Sequence, residues 1–243
     1  MRELSVVKLG GSLAFADLLP TWLSAIESGA GNTVLVVGGG PFADVVRLAQ
    51  PRMGFDDRAA DAMALLAMEQ YAIAVAALSR NFLVAGSNAR IRRALEAGRI
   101  PVWAPSEMVR QARRRAASSS SREAVAIPPS WDVTSDSLAV WLAKELRARR
   151  LFLIKQVLVE ALSADRSVNA VHLEREGVVD KAFARSLAAA KNISGFLLGP
   201  HDAQGLAVAL REGAPIGSRI DVVGGAEPIQ AVDGRALPGD DAV

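Results

Sequence analysis

The 243-residue sequence has no cysteine and only two histidines, His172 and His201. Without thiols the chain has no disulfide, no cysteine nucleophile and no zinc site that needs thiolate ligands. Two histidines without spaced partners leave little for a histidine-based site. Any metal must therefore be a hard cation held by oxygen atoms, and such ions commonly arrive with a phosphate substrate, as Mg2+ does with ATP.

Charge of one sign and long apolar runs are also scarce. The formal net charge is +2, so bulk charge gives no reason to expect a nucleic-acid partner. The first residues lack the apolar run of a signal peptide, and no uninterrupted apolar stretch elsewhere reaches membrane-spanning length. We therefore expect no membrane partner and a cytoplasmic location.

Hydrophobic residues make up 51% of the sequence and charged residues 22%, a balance typical of a globular chain. Short runs rich in valine, isoleucine and leucine alternate with longer segments of helical period, which predicts an α/β fold with a parallel sheet covered by helices. Strands are predicted near 4–8, 33–37, 82–85, 100–103, 151–157, 194–198 and 219–223. Helices are predicted near 15–28, 41–50, 57–79, 88–97, 134–148, 180–191 and 202–212.

Two segments fall outside this alternation. Residues 110–122 combine an arginine run with a serine run, which predicts an exposed loop that is either a solvated charge run or an arginine lid over an anionic substrate. Residues 224–243 are rich in glycine, proline and acidic side chains, which predicts a flexible tail.

The first candidate site segment is Lys8-Leu9-Gly10-Gly11-Ser12, which follows a predicted strand and precedes a helix. Glycines there let backbone amides approach an anion, and a lysine at the strand end places a charge against phosphoryl oxygens. The spacing is not that of a Walker A loop. Taken alone, the segment is better explained as a glycine turn that has a lysine at its edge.

A second glycine loop, Gly38-Gly39-Gly40, follows the next predicted strand. In a parallel sheet both loops lie at the carboxyl edge, where open α/β sheets bind ligands. One loop can hold a phosphate donor and the other an acceptor, an arrangement suited to phosphoryl transfer. Neither loop has the spacing of a dinucleotide-binding motif.

A third segment, Thr134-Ser135-Asp136, stands directly before an apolar helix. Either hydroxyl residue can cap that helix, and the aspartate can stabilise its dipole, so capping and ligand binding both stay open. Trp131, just upstream, either packs in the protein or stacks on a flat acceptor ring.

Together the three segments resemble the amino-acid-kinase family, and the matching positions are Lys8, Gly10, Gly11, Ser12, Gly38, Gly39, Gly40 and Asp136. The resemblance implies a three-layer α/β/α sandwich of the carbamate-kinase type with a mainly parallel sheet. It further implies one domain over 1–223, with an acceptor-binding part at about 1–150 and a nucleotide-binding part at about 151–223. It also implies a homo-oligomer.

On the donor side, the resemblance implies an ATP-dependent kinase in which Lys8 stabilises charge on the transferring phosphoryl group. Asp136 would orient Lys8 through an ion pair. The amides of Gly10 and Gly11 and the hydroxyl of Ser12 would bind phosphates of ATP. Mg2+ would arrive with ATP, and no side chain is expected to be a metal ligand.

On the acceptor side, Gly38, Gly39 and Gly40 would cradle a phosphate of a small acceptor, with Thr134 and Ser135 in contact with it. The run from tryptophan to Thr-Ser-Asp-Ser-Leu is most similar to the kinases of methanofuran biosynthesis, which convert [5-(aminomethyl)furan-3-yl]methyl phosphate to its diphosphate. Uridylate and isopentenyl phosphate are alternative acceptors within the family.

The sequence departs from the family directly after the apolar strand segment Leu151-Phe152-Leu153-Ile154. Many relatives carry Thr-Asp-Val-Asp-Gly there, whereas this chain reads Lys-Gln-Val-Leu-Val-Glu from Lys155 onward. Lys155 is either a ligand for ATP phosphates or a surface residue, and a second catalytic lysine could be Lys155, Lys181 or Lys191. The departure also leaves open a non-catalytic nucleotide-binding or oxoanion-binding subunit, similar to molybdenum-storage proteins.

Overall fold

A computed structural model of the chain describes residues 3–118, 127–157 and 167–222. Within them one eight-stranded sheet has the order β3-β4-β2-β1-β5-β7-β8-β6, and its strand pairs are parallel except β7 with β8. The α/β class is thereby confirmed. The strands are β1 Ser5–Leu9, β2 Thr33–Val37, β3 Phe82–Ala85, β4 Ile100–Trp103, β5 Arg150–Ile154, β6 Ser167–Asn169, β7 Ser194–Leu198 and β8 Ser218–Asp221.

Helices pack on both faces of this sheet. They are α1 Leu19–Glu27, α2 Gly40–Met53, α3 Asp57–Ala77, α4 Asn88–Glu96, α5 Ser106–Ser118, α6 Ser135–Glu145, α7 Ala170–Arg175, α8 Phe183–Ala188 and α9 Ala203–Glu212, and a short 3-10 helix spans Gly11–Phe15. Short β6 and α7 were not predicted, because three to six residues are too few to establish an apolar period.

Both faces of the central strands are buried, which is why those strands read as continuous apolar runs. In β1, Val6 packs into the core on the α6 side, whereas Val7 packs into the core with α1 and α9. Side chains alternate between the faces of a strand, so Lys8 projects to the same side as Val6. The strand register thus directs this lysine toward α6.

The prediction of a loop over 110–122 is wrong for its first part, because α5 extends to Ser118. Met108, Val109 and Ala112 are buried on one side of this helix, a helical spacing that the neighbouring arginines and serines obscure. Arg113 makes a bidentate ion pair with Asp61 of α3, with nitrogen–oxygen distances of 2.5 and 2.8 Å. Arg113 therefore joins α5 to α3 and is not free to close over a substrate.

Two other sequence predictions fall outside the described residues. These are the end of the 110–122 segment and the tail at 224–243. Helix α3 is long and apolar enough to cross a membrane by length and composition alone. However, Leu65, Met68 and Val75 of this helix are buried in the cores beside the sheet, and core helices pass the same test.

Candidate active site

The two glycine loops touch each other at the carboxyl edge of β1 and β2. A Cβ on Gly11 would lie 2.7 Å from the nitrogen of Gly40, and one on Gly38 would lie 2.8 Å from the nitrogen of Gly11. Gly40 also has a φ of +53°, in the left-handed region that favours glycine. Backbone contact this close excludes any side chain, so the loops form a floor built of peptide groups.

The hydrogen bonds of these loops show which backbone amides are used within the fold and which are available to a ligand. The Gly10 amide donates to the carbonyl of Ile154 at 3.2 Å, and the Gly38 amide donates to the carbonyl of Leu9 at 3.0 Å. Gly10 therefore joins the loop to β5, and its N–H is not available to a phosphate as the resemblance implied. Within the described residues, the amides of Gly11 and Gly39 donate to no backbone carbonyl.

A buried cluster of three charges lies beside this floor. Asp136, in the first turn of α6, places one carboxylate oxygen 2.8 Å from the Lys8 ammonium and the other 2.8 Å from the Lys155 ammonium. Its side chain and that of Lys8 are almost fully buried, whereas Lys155 is 14% exposed. One carboxylate thus orients two lysines and leaves one net positive charge.

The ionisation of this cluster follows from burial and from the neighbouring charges. Burial, opposed by the charge of Asp136 and assisted by that of Lys155, lowers the pKa of Lys8 to about 8. Burial alone would raise the pKa of Asp136, but the charges and hydrogen bonds of Lys8 and Lys155 outweigh it and hold this pKa at about 2. Asp136 is therefore ionised at neutral pH, and Lys8 is mainly protonated.

The structure distinguishes the three lysines that the sequence offered as a second basic group. Lys155 lies in the charge cluster because it follows β5, which pairs with β1. Lys181 makes an exposed ion pair with Asp132 at 3.3 Å. Lys191 lines a separate pocket together with the end of α6. Only Lys155 among these three contacts Asp136.

A cavity of about 320 Å³ opens above Lys8 and both glycine loops. Ser12, Gly39, Thr134 and Ser135 also line it, so the predicted donor and acceptor residues meet at one cavity, apart from Gly10 and Lys155. Its apolar wall is formed by Ala64, Leu65, Met68, Val133 and Leu138.

Trp131 forms a fixed aromatic part of the cavity wall. Its indole N–H donates to the side-chain oxygen of Gln50 at 2.7 Å. The guanidinium of Arg47 lies 4.7 Å from its ring centroid, a distance suited to a cation–π interaction. The two partners lie three residues apart on α2, and no pattern in the sequence predicts that this pair faces Trp131.

The first turn of α6 is held from outside the helix. Thr134 is the N-cap residue, but its side chain makes no cap hydrogen bond. Its hydroxyl instead donates to Asp180 at 3.0 Å. The hydroxyl of Ser137 donates to the same carboxylate. The sequence assigns Asp180 no role and places it at the start of the predicted helix near 180–191, whereas in the structure it precedes α8 and contacts α6.

Comparison with solved structures finds this fold in uridylate kinase from Archaeoglobus fulgidus, at 18% identity and a TM-score of 0.65 over 90% of this chain and 100% of that one. UMP kinase from Bacillus anthracis gives 18% identity and a TM-score of 0.59 over 90% and 96% of the two chains. An isopentenyl phosphate kinase gives 18% identity and a TM-score of 0.54 over 90% of this chain and 100% of that one. At such identities the likeness shows the fold alone.

No curated protein matches the chain. The sequence pattern of the Amino acid kinase family matches residues 3–158. That match covers more than half of the 243 residues and includes both glycine loops, Lys8 and Asp136. The chain therefore belongs to the amino acid kinase family.

Proposed function

We propose that this protein is an ATP-dependent phosphotransferase that acts on a small phosphorylated acceptor. The observation that carries the proposal is the pair of lysines, Lys8 and Lys155, held on the two oxygens of Asp136 beside touching glycine loops. A buried net positive charge next to free amides favours the binding of phosphoryl groups. The site can therefore hold the phosphoryl groups of two substrates close together.

In this mechanism the protein positions the reactants and neutralises charge. Lys8 stabilises the oxygens of the transferring phosphoryl group, and Lys155, closer to solvent, attracts the donor phosphates. Asp136 orients both ammonium groups and holds no proton, because its pKa of about 2 keeps it ionised. The phosphate of the acceptor is itself the nucleophile, so the reaction needs no histidine or carboxylate base.

The donor in this proposal is ATP, and Mg2+ accompanies it. Within residues 3–118, 127–157 and 167–222, no group of three His, Asp or Glu side chains is placed to hold a metal ion. Asp136 is committed to two lysines. In this proposal the phosphate oxygens of ATP, together with water, would supply most of the ligands of the ion.

For the acceptor we propose [5-(aminomethyl)furan-3-yl]methyl phosphate, the substrate implied by the resemblance of residues 131–139 to kinases of methanofuran biosynthesis. The cavity supports a small flat acceptor, because its wall combines the Trp131 ring with Leu65 and Met68. The acceptor phosphate would lie on Gly38, Gly39 and Gly40, and its ring would lie against the tryptophan.

The acceptor proposal predicts a ranking in a coupled assay of ADP release. The furan monophosphate should give the highest kcat/KM in a panel with uridylate, isopentenyl phosphate and N-acetylglutamate. Trp131→Ala should raise the KM for the furan phosphate about 10-fold, because it removes one aromatic contact. Trp131→Phe is the matched control: it keeps a flat ring without the bond to Gln50, and its KM should stay within about 3-fold.

The same panel separates the competing interpretations. A higher kcat/KM with uridylate or isopentenyl phosphate would overturn the furan acceptor and keep the kinase. Binding of ATP without turnover on any acceptor would instead support a non-catalytic subunit, the alternative raised by the altered segment at Lys155. Equal effects of Trp131→Ala and Trp131→Phe would show that the ring does not contact the acceptor.

We also propose that the protein is a homodimer through α2 and α3. These packed helices expose apolar side chains at helical spacing, Val45 and Leu48 on α2 and Met63, Leu66 and Ile73 on α3. Exposed apolar surface of this kind is typical of a contact between subunits, and the same surface on a second copy is self-complementary.

Light scattering should give a mass of about twice the 25.6 kDa of the chain. Ile73→Asp should reduce the mass to that of the monomer, because it places a charge in an apolar contact. Val171→Asp changes an equally apolar exposed residue on α7 and should leave the dimer intact. A monomeric wild type, or a dimer unaffected by Ile73→Asp, would refute this interface.

A further inference from the structure

Asp180 accepts hydrogen bonds from the start of α6 although it lies more than forty residues away in the chain. One of its oxygens accepts from the amides of Thr134 and Ser137, at 2.9 and 3.0 Å, and from the Thr134 hydroxyl at 3.0 Å. The other accepts from the Ser137 hydroxyl and from the amide of Ala182. All five partners are donors, which match the acceptor oxygens of a carboxylate.

These bonds replace the cap that α6 lacks. A helix start leaves free N–H groups, which the side chain of the N-cap residue usually satisfies. Here Thr134 is the N-cap residue, but Asp180 accepts from the amide of Ser137, the third residue of the helix. A negative charge at this end is further stabilised by the helix dipole.

The residue between these contacts is Asp136, which cannot cap its own helix because both its oxygens face lysines. Thr134 and Ser137 flank it and are both bound to Asp180. We propose that Asp180 is a positioning residue for the reaction: by clamping the first turn of α6 from both sides of Asp136, it holds that carboxylate between Lys8 and Lys155.

This inference rests on the proposed function, and Asp180→Asn is its first test. The amide keeps the size of the side chain but turns an NH2 group toward donors. We expect kcat to fall about 10- to 100-fold, because small displacements of catalytic groups reduce rates by such factors. The KM for ATP should stay within about 3-fold, since Asp180 does not line the cavity.

The pKa of Lys8 gives a readout that general destabilisation would not move. Lys8 faces Asp136 from α6 and Lys155 from the end of β5, and Asp136 raises its pKa. If Asp180→Asn loosens Asp136, the pKa of Lys8 should fall below its wild-type value of about 8. The alkaline limb of the kcat/KM profile should then move to lower pH, and NMR of 13Cε-labelled lysine should report the same shift.

Two further variants make the test specific. Asp132→Asn removes a nearby carboxylate that makes an exposed pair with Lys181, and it should leave kcat and the Lys8 pKa unchanged. Ser137→Ala removes one donor from Asp180 and should give a smaller change in the same direction as Asp180→Asn. This second variant stays informative if Asp180→Asn does not fold.

The outcomes separate the two proposals. If the wild type is active, and both Asp180→Asn and Ser137→Ala keep the wild-type kcat and the wild-type pKa of Lys8, the positioning role is overturned. A fall in active protein and melting temperature without a shift in the Lys8 pKa would also overturn it, because that is plain destabilisation. An inactive wild type in which Asp180→Asn still shifts the Lys8 pKa would refute the kinase and retain the positioning role.

Discussion

Lys8→Met is expected to lower kcat by about 10²- to 10³-fold, the usual effect of removing one group that stabilises transition-state charge. Methionine matches the length of the lysine stem and suits the apolar strand, so the fold should be retained. The lysine is buried, contacts Asp136 at 2.8 Å and lines the cavity between the glycine loops. Its loss removes the positive charge placed deepest beside the proposed phosphoryl group.

Steady-state ADP release, with circular dichroism as the check on folding, measures this effect. Lys181→Met is the matched control, because Lys181 is an exposed lysine outside the charge cluster, and its kcat should equal that of the wild type. Lys8→Met should change the KM of ATP much less than kcat, since Lys155 and the loop amides remain. A Lys8→Met enzyme with wild-type kcat would show that the catalytic site lies elsewhere.

Asp136→Ala is expected to be the most destabilising of the substitutions considered, by about 3 to 5 kcal/mol. It leaves Lys8 buried without a counter-charge, and breaking a buried pair from one side costs about this much. Urea unfolding followed by circular dichroism should show a lower midpoint with an unchanged slope. The matched variant Asp132→Ala, from an exposed ion pair, should change the free energy of unfolding by less than about 1 kcal/mol.

The double variant Lys8→Met/Asp136→Leu tests whether the unpaired buried charge of Lys8 causes the loss of stability in Asp136→Ala. It removes the buried charge together with its partner, so stability should recover to within about 1 to 2 kcal/mol of the wild type while activity stays absent. Lys155 remains, but it is 14% exposed and can turn toward water.

The pH dependence of Asp136→Ala has a defined sign. Without the carboxylate the folded-state pKa of Lys8 lies further below its unfolded value of 10.5. The free-energy cost of burying charged Lys8 in this variant is therefore full below the folded-state pKa of Lys8. It decreases as the pH rises toward the unfolded-state pKa of the same lysine. A midpoint for Asp136→Ala equal to that of the wild type at pH 7 would contradict a buried, charged Lys8.

Much of the fold could be predicted because its central strands are buried on both faces and therefore read as plain apolar runs. The predicted strands at 33–37, 82–85, 100–103 and 194–198 coincide with β2, β3, β4 and β7. The two glycine loops were also recognisable, because each follows such a strand and opens a helix. Their contact at Gly11 and Gly38 follows from the pairing of β1 with β2.

Other parts of the site depend on spatial neighbours that a single sequence does not specify. Lys155 reaches Asp136 because β5 lies beside β1, and strand order is not visible in an apolar pattern. Asp180 lies within the predicted helix near 180–191, but the structure places it before α8, and the sequence pattern does not indicate its contact with α6. Gly10 matches the family motif, yet its amide is used by the sheet. A motif thus locates a loop, but it does not show which N–H groups are free.

The proposed function requires that a phosphoryl group be transferred from ATP to an acceptor phosphate in the cavity above Lys8. The most direct measurement is 31P NMR of the protein with ATP, Mg2+ and the furan monophosphate. The wild type should form ADP and a new diphosphate with the two coupled signals of a P–O–P linkage, and Lys8→Met should form neither at a comparable rate. Bound ATP with no new linkage on any phosphorylated acceptor, or equal product from Lys8→Met, would show that this site does not catalyse phosphoryl transfer.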